Sequence, residues 1–226
     1  MIEMHLSIYG GRGADSGLTF VSPSPASSPG LPPGSLPVEV APDLKTALGQ
    51  KGKPYSISDA LSRVNPDLYS DNCQRCVVAY ELLRRGYRVT ALPYYNGDKW
   101  ADSCIGGIIG AERWRGAFKG AKTSRVGSLS TNRTIENITD AMHKYGPGAR
   151  GVVHVSSADL KNGHVFNVEN VNGRVQFLEA QTGSRYNRSE LRSFLGHTPG
   201  IQTTLTRTDN LRISDRAREF VRQGRK

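Results

Sequence analysis

Apolar and polar positions interleave most clearly in the second half of the chain, where the pattern predicts a β-sheet. Three runs there are rich in β-branched and aromatic residues, as strands are. They span residues 151–156, 164–171 and 174–180. Asn172-Gly173 joins the last two runs, and Asn-Gly in this setting is the strongest short signal for a β-hairpin. We therefore expect an antiparallel sheet that contains this hairpin.

A different spacing, with apolar residues three and four apart, predicts a helix over residues 72–85. Its apolar stripe consists of Cys73, Cys76, Val77, Tyr80 and Leu83. Gly86 is the expected end of this helix, because glycine readily takes the left-handed conformation of a helix C-cap. Cys73 would then lie at the start of an amphipathic helix.

Weaker signals predict the remaining elements. A helix is expected from Thr134 to Tyr145 and is ended by Gly146-Pro147-Gly148. Shorter helices are expected at 42–48, 57–64 and 189–195, strands at 87–92 and 202–205, and an Arg-rich C-terminal helix at 215–223. Residues 94–131 contain Trp100 and Trp114 and are expected to form an irregular lobe that contributes to a substrate rim.

The N-terminal residues differ in composition from the rest of the 226-residue chain. Residues 21–37 hold six of the 12 prolines, mixed with serine and glycine, and such sequence buries too little apolar surface to fold. We expect residues 1–40 to be a flexible leader and linker, and residues 41–226 to form one domain. No apolar run is long enough to span a membrane, and the start is too polar for a Sec signal peptide. The expected location is cytoplasmic, with delivery by a specialised route left open.

The formal net charge of +10 is carried by the part of the chain after the leader. Residues 1–50 hold two basic and four acidic residues, which leaves 28 basic and 16 acidic residues for the rest. A basic domain suits an acidic partner, such as nucleic acid or an acidic protein. It equally suits a surface whose charges only keep the protein in solution.

The three cysteines, Cys73, Cys76 and Cys104, are too few for a disulfide framework. Zinc is not expected, because a Cys-x-x-Cys site needs a second pair of ligands at comparable spacing. A redox Cys-x-x-Cys module normally follows a strand, and no strand is evident before Asn72. We therefore predict no metal and no cofactor, and keep the metal or redox module as an alternative.

Cys73 is the candidate nucleophile. If Ser70 or Asp71 caps the helix, Cys73 lies in the first turn, where the N–H groups and the helix dipole favour a thiolate. The competing interpretation is that both early cysteines are small core residues, since free cysteine is among the most buried residue types.

The predicted hairpin brings together candidate catalytic partners for Cys73. A two-residue loop pairs Val171 with Arg174, so His164 would lie opposite Gln181. Alternation puts His164, Glu179 and Gln181 on one face, with Glu179 diagonal to His164. A histidine beside a carboxylate can act as a general base, which predicts a Cys73–His164–Glu179 site. His154, on the neighbouring strand, is a rival base.

Two blocks of the sequence resemble the papain-fold toxin domains of bacterial polymorphic toxins and of phage or mobile-element proteins. The first is Asn72-Cys73-x-x-Cys76-Val77-Val78-Ala79-Tyr80-Glu81-Leu82 with Arg85-Gly86-Tyr87-x-Val89-x-Ala91-Leu92-Pro93. The second is Gly163-His164-Val165-Phe166-Asn167-Val168 with Val175-x-Phe177-Leu178-Glu179-Ala180-Gln181-Thr182-Gly183. The resemblance covers residues 55–195 and implies an α+β, papain-like fold, with a cysteine-bearing helix packed on an antiparallel sheet.

The resemblance also implies an activity. Members of the family are protein glutamine deamidases or peptidases, delivered as toxins or effectors, with a Cys–His–Asp site. Cys73 matches the nucleophile and His164 the base, whereas Glu179 stands where the family has aspartate in an Asp-x-Gln-x-Gly motif. The Asn72 side chain is expected to help the backbone N–H of Cys73 stabilise an oxyanion, and Gln181 to support the base.

The expected partners are a protein substrate and, for a toxin, an immunity protein. A cysteine peptidase with the same site is the first alternative. A catalytically degenerate, basic module that binds nucleic acid or an acidic protein is the second.

Overall fold

The computed structural model describes residues 40–93, 113–156, 163–196 and 202–225. Residues 1–39, predicted to be the leader, therefore lie outside the described residues. Cys104 and the first half of the lobe expected at 94–131, with Trp100, lie outside them as well.

The described elements include most of the predicted ones in the predicted order, with unpredicted short strands at Thr123–Arg125 and Ser184–Tyr186 and a different C-terminal segment. The helices are α1 (Leu44–Leu48), α2 (Ile57–Val64), α3 (Cys73–Arg84), α4 (Thr131–Tyr145) and α5 (Arg188–Gly196), with 3-10 helices at Arg113–Ala117 and Asp215–Glu219. The strands are β1 (Val89–Ala91), β2 (Thr123–Arg125), β3 (Arg150–Ser156), β4 (Gly163–Val171), β5 (Arg174–Glu179), β6 (Ser184–Tyr186), β7 (Thr204–Arg207) and β8 (Val221–Gln223).

An antiparallel sheet of order β2-β7-β3-β4-β5-β6 forms the centre of the fold. Side chains on one of its faces pack against α3, and those on the other pack against α4 and α5. The β4–β5 turn is Asn172-Gly173, and both residues have positive φ, as a type I′ turn requires. The expectation of an α+β fold with the cysteine-bearing helix on an antiparallel sheet is confirmed.

Helix α3 is buried on nearly every side, so the expectation of an amphipathic helix is wrong. Its side chains from Cys73 to Leu83 are buried, apart from that of Arg75. The central sheet covers one side, while α2 and the small β1–β8 sheet cover others. A helix enclosed in this way needs no polar face. No helix in the described ranges is long and apolar enough to cross a membrane.

Two buried carboxylates tie α3 to the sheet. Glu81, which is 0% exposed, accepts hydrogen bonds from Arg85 Nε at 2.6 Å and from Arg150 Nε at 2.9 Å. Glu169 on β4 accepts from Tyr80 Oη at 2.9 Å and from an arginine at the end of α3. Buried charges of this kind are tolerated only when paired, so these contacts fix the position of α3 on β3 and β4.

The C-terminal segment differs from its prediction. Instead of a helix over 215–223, the chain forms the 3-10 helix Asp215–Glu219 and then β8, which pairs antiparallel with β1. Leu92 N donates to Phe220 O, and Gly224 N donates to Arg88 O. Pairing with β8 gives the backbone groups of β1, whose Val89 and Ala91 are buried, the partners that a helix at 215–223 could not supply.

Candidate active site

Cys73 is the first residue of α3. The N-cap is Asn72 rather than the expected Ser70 or Asp71, and it makes no side-chain capping bond. Its carbonyl accepts from Arg75 N at 2.8 Å and from Cys76 N at 3.0 Å. Cys73 therefore lies in the first turn, as the sequence indicated, and its side chain is buried with 5% exposure.

The side chain of Asn72 is bonded within the protein. Its Nδ2 donates to Asn65 Oδ1 at 3.3 Å and to Leu92 O at 3.1 Å, and its Oδ1 accepts from the Cys76 thiol at 3.1 Å. Because both amide hydrogens have acceptors, this geometry does not favour the expected side-chain contact to an oxyanion. Asn72 instead holds the first turn of α3 against two neighbouring segments.

His164 and Glu179 are in direct contact. His164 Nε2 lies 2.6 Å from Glu179 Oε2, and the side chains are 19% and 7% exposed. The edge of the imidazole ring also meets Phe194 on α5, with ring centroids 5.6 Å apart. The structure thus brings together the two residues that the sequence placed on neighbouring strands.

The strands carrying these two residues separate sooner than expected. The β4–β5 pairing follows the predicted register from Val171–Arg174 but ends at Asn167–Leu178. His164 is therefore not paired with Gln181, and it pairs across β3 with Val155 instead. The prediction extended a regular ladder past Leu178, where the β4–β5 pairing ends one residue before β5 itself does.

Glu179 is held as a carboxylate by three donors in the described residues. Beside His164, Tyr186 Oη donates to Oε2 at 2.6 Å and Gln181 N donates to Oε1 at 3.1 Å. Burial by itself would raise the pKa of Glu179, but the charge and hydrogen bond of His164, with the bonds from Tyr186 and Gln181, lower it below its ordinary value. The group therefore stays ionised at neutral pH.

Tyr186 was missed by the sequence reasoning. It lies on β6, where it pairs with Phe177 and so shares the face of Glu179. A signal for it exists in the chain, because Thr182-Gly183 is a turn and a strand returning from that turn must lie beside β5. Extending the alternation past the turn would have placed Tyr186 at the site.

Gln181 contributes through its main chain. Besides the bond from its N–H to Glu179, its carbonyl accepts from Asn65 Nδ2 at 2.8 Å. Within the described residues its side-chain Nε2 is buried without a hydrogen-bond partner.

Helix α3 and strand β4 run in the same direction. Near the middle of both, Asn167 Nδ2 donates to Val77 O at 3.3 Å, and further on Tyr80 Oη donates to Glu169 at 2.9 Å. It follows that the starts of α3 and of β4 lie at the same end of the molecule.

Those two starts carry Cys73 and His164. Burial and the charge of Glu179 raise the pKa of Tyr186 above its ordinary value, and the charges of Glu190 and Cys73 add to this effect. Cys73 therefore belongs to the electrostatic surroundings of Tyr186.

His154, the rival base, lies on the face of the sheet that packs against α3, whereas His164 lies on the face that packs against α4 and α5. It pairs with Val165, whereas His164 pairs with Val155, and adjacent positions of a strand point to opposite faces. Burial, together with the charges of Arg115 and His164, lowers the pKa of His154 to about 4. His164 is the histidine bonded to Glu179.

Other expectations about this region concern metals and tryptophan. Within the described ranges no group of three or more His, Cys, Asp or Glu side chains could hold a metal ion, and Cys73 and Cys76 are not joined in a disulfide. Trp114 is 1% exposed, and its backbone N–H donates to Gln74 Oε1 at 3.1 Å. It belongs to the core, so its expected place on a substrate rim is wrong.

Comparison of the sequence with known protein families identifies the family of this chain. A sequence model described as papain fold toxin 1, glutamine deamidase, matches residues 71–184, half of the chain. The match runs from just before α3 to the start of β6 and contains Cys73, His164 and Glu179. The chain belongs to this family. A search of curated proteins finds no match to it.

Family membership confirms the resemblance seen in the sequence and gives the fold its name, the papain fold. At the level of the family, the chain is a papain-like deamidase toxin, and its chemistry is the hydrolysis of amides.

Proposed function

We propose that this toxin is a cysteine-dependent protein glutamine deamidase, in which Cys73 is the nucleophile, His164 the general base and acid, and Glu179 the group that orients the imidazole. The 2.6 Å contact between His164 Nε2 and Glu179 Oε2, at the end of the sheet where α3 begins, carries this proposal. The family match supports the substrate class.

The contact between His164 and Glu179 determines which nitrogen of His164 exchanges a proton with Cys73. Because Glu179 is ionised, Nε2 carries a hydrogen and donates it to the carboxylate. Nδ1 is then the nitrogen that accepts the proton of the Cys73 thiol. The first turn of α3 favours the resulting thiolate, since N–H groups and the helix dipole point toward it.

Deamidation then takes two steps. The thiolate attacks the carboxamide carbon of a glutamine, and as the C–N bond breaks, His164 gives its proton to the departing ammonia. Water, deprotonated by His164, attacks the thioester, which releases glutamate and regenerates the thiol–imidazole pair. The net reaction consumes one amide and one water and forms one carboxylate and one ammonium ion.

Two further residues support these steps. The backbone N–H of Cys73, in the first helical turn, is the proposed donor to the oxyanion, and Asn72 positions that turn through its bonds to neighbouring segments. Gln181 supports Glu179 through its N–H. The substrate would be a glutamine side chain of a target protein, and an immunity protein is the expected second partner.

The reactivity of the Cys73 thiol tests this assignment without a known substrate. The full chain is treated with iodoacetamide across a range of pH, and labelling of Cys73 is followed by peptide mass spectrometry. We expect fast labelling at or below neutral pH, although an ordinary thiol ionises near pH ~8.5, and slower labelling in His164→Ala. His143→Ala removes an exposed histidine of α4 and serves as the control.

The products separate the candidate reactions. After incubation with a mixture of glutamine-containing peptides, conversion of glutamine to glutamate supports a deamidase, whereas new chain ends would indicate a cysteine peptidase. Ordinary Cys73 reactivity, together with salt-dependent binding of DNA or RNA, would contradict the catalytic proposal and favour a basic binding module.

Glu179→Asp tests whether the site depends on the length of glutamate. Aspartate would draw the carboxylate back by about 1.5 Å, away from donors that now lie 2.6 Å from Oε2. We expect the rate of Cys73 labelling to fall by about ten- to a hundredfold, because small misplacements are costly in catalytic sites. Glu179→Gln keeps the length and loses the charge. A Glu179→Asp protein as fast as the wild type would show that the aspartate geometry of the family applies here.

A further inference from the structure

The carboxylate of Glu179 is held at both oxygens. His164 and Tyr186 bond to Oε2, each at 2.6 Å, and the N–H of Gln181 bonds to Oε1 at 3.1 Å. A glutamate has one more rotatable bond than an aspartate, so its carboxylate needs more contacts to stay in one orientation. The N–H of Gln181 constrains one oxygen, and the hydroxyl of Tyr186 constrains the oxygen that faces the imidazole.

One aromatic cluster sets the positions of both donors to Oε2. The ring of Tyr186 stacks on Phe194 with centroids 5.5 Å apart, and the ring of His164 meets Phe194 edge-on at 5.6 Å. Phe166 packs edge-on against Tyr186 at 5.5 Å. Since stacked and edge-on rings resist rotation, the hydroxyl and the imidazole have fixed places relative to each other.

We propose that Tyr186 is a positioning residue of the active site, whose hydroxyl holds Glu179 in the orientation that His164 requires. This inference rests on the proposed function of Cys73, His164 and Glu179. It goes beyond the family match, which ends at residue 184. Tyr186 acts through Glu179 and does not take part in the chemical steps.

The charged and titratable neighbours of this pair come from several elements. His164 on β4 faces Glu179, while Cys73 on α3 and Glu190 on α5 act on Tyr186. The hydroxyl of Tyr186 donates a hydrogen bond to the ionised form of Glu179. Removal of this hydroxyl should therefore raise the pKa of the Glu179 carboxyl. Protonation of Glu179 would then inactivate the site at a higher pH than in the wild type.

Tyr186→Phe removes the hydroxyl and keeps the stacked ring. We expect Cys73 in the full-length variant to react with iodoacetamide about tenfold more slowly at neutral pH, the effect of losing one hydrogen bond to a charged group. We also expect the acidic limb of the labelling rate against pH to move to higher pH. A residue that only contributes to stability would leave that limb in place.

Tyr80→Phe is a matched control, because the hydroxyl of Tyr80 donates to another buried carboxylate, that of Glu169, at 2.9 Å. Both variants should lose similar stability in thermal unfolding, and only Tyr186→Phe should lower the rate at which iodoacetamide labels Cys73. In a Glu179→Ala background, Tyr186→Phe should cause no further loss, because the acceptor of the hydroxyl is gone.

The outcomes distinguish this inference from the proposal on which it rests. If wild-type Cys73 labels fast and slows in His164→Ala, but Tyr186→Phe matches the wild type, Tyr186 has no positioning role. If Tyr186→Phe still lowered the labelling rate of Cys73 tenfold in the Glu179→Ala background, the inference would also be overturned. If wild-type Cys73 labels no faster than an ordinary thiol, the proposed function fails and the inference fails with it.

Discussion

Cys73→Ala is expected to abolish deamidation while leaving the fold intact. Without the thiolate no thioester forms, and loss of a nucleophile in a comparable catalytic unit lowers turnover by about 10⁴- to 10⁶-fold. Alanine fits the buried site of Cys73 without introducing a polar atom, so we expect a stability loss of about 1 kcal/mol or less. Ammonia release from glutamine-containing peptides measures the activity, and circular dichroism checks the fold.

Cys76→Ala is the matched control for this prediction. Cys76 lies three residues further along α3, is fully buried and donates its thiol hydrogen to Asn72 Oδ1. Its removal should reduce stability but leave most of the activity, because the nucleophile is still present. If Cys73→Ala kept wild-type turnover, the nucleophile would be another group and the proposed mechanism would be wrong.

Glu81→Ala is expected to have the largest effect on stability. The change leaves Arg85 and Arg150, whose side chains are 14% and 17% exposed, without their shared carboxylate. Breaking a buried ion pair by removing one partner costs about 3–5 kcal/mol, which is much of the free energy of unfolding of an ordinary domain. Urea unfolding, followed by circular dichroism, measures the change.

Glu136→Ala provides the comparison for this measurement. Glu136 also pairs with an arginine, Arg133, at 3.2 Å, but the two side chains are 49% and 64% exposed. Exposed pairs contribute about 0–1 kcal/mol, so this variant should unfold almost as the wild type does. A similar small change in Glu81→Ala would mean that carbonyl groups such as Thr208 O and Leu211 O suffice to satisfy Arg85.

Local sequence signals correctly predicted the elements that depend on residues close together in the chain. Helix α2 has the predicted bounds, and the side chain of Ser56 caps it by accepting a hydrogen bond from Asp59 N. The hairpin register is correct because Asn172-Gly173 permits only one pairing of the strands next to it. These features depend on residues that are close together in sequence.

The candidate site was predictable to the extent that it depends on the hairpin. Alternation along β4 and β5 placed Glu179 within reach of His164, and the contact is present at 2.6 Å. The roles of Cys73, His164 and Glu179 in catalysis stay predictions. Tyr186 was missed because the reasoning stopped at the turn after β5, although its hydroxyl binds the same oxygen as His164.

The sequence by itself determined the residue types at the candidate site, the helix start that carries Cys73 and the common face of β4 and β5 on which His164 and Glu179 lie. Only the tertiary structure decided that α3 is buried on nearly every side, that the segment after residue 219 pairs with β1, and that β4 and β5 separate beyond Asn167. Periodicity reports which side of an element is apolar. It does not report how many neighbours cover that element or which strand edge needs a partner, because those contacts join residues that are far apart in the chain.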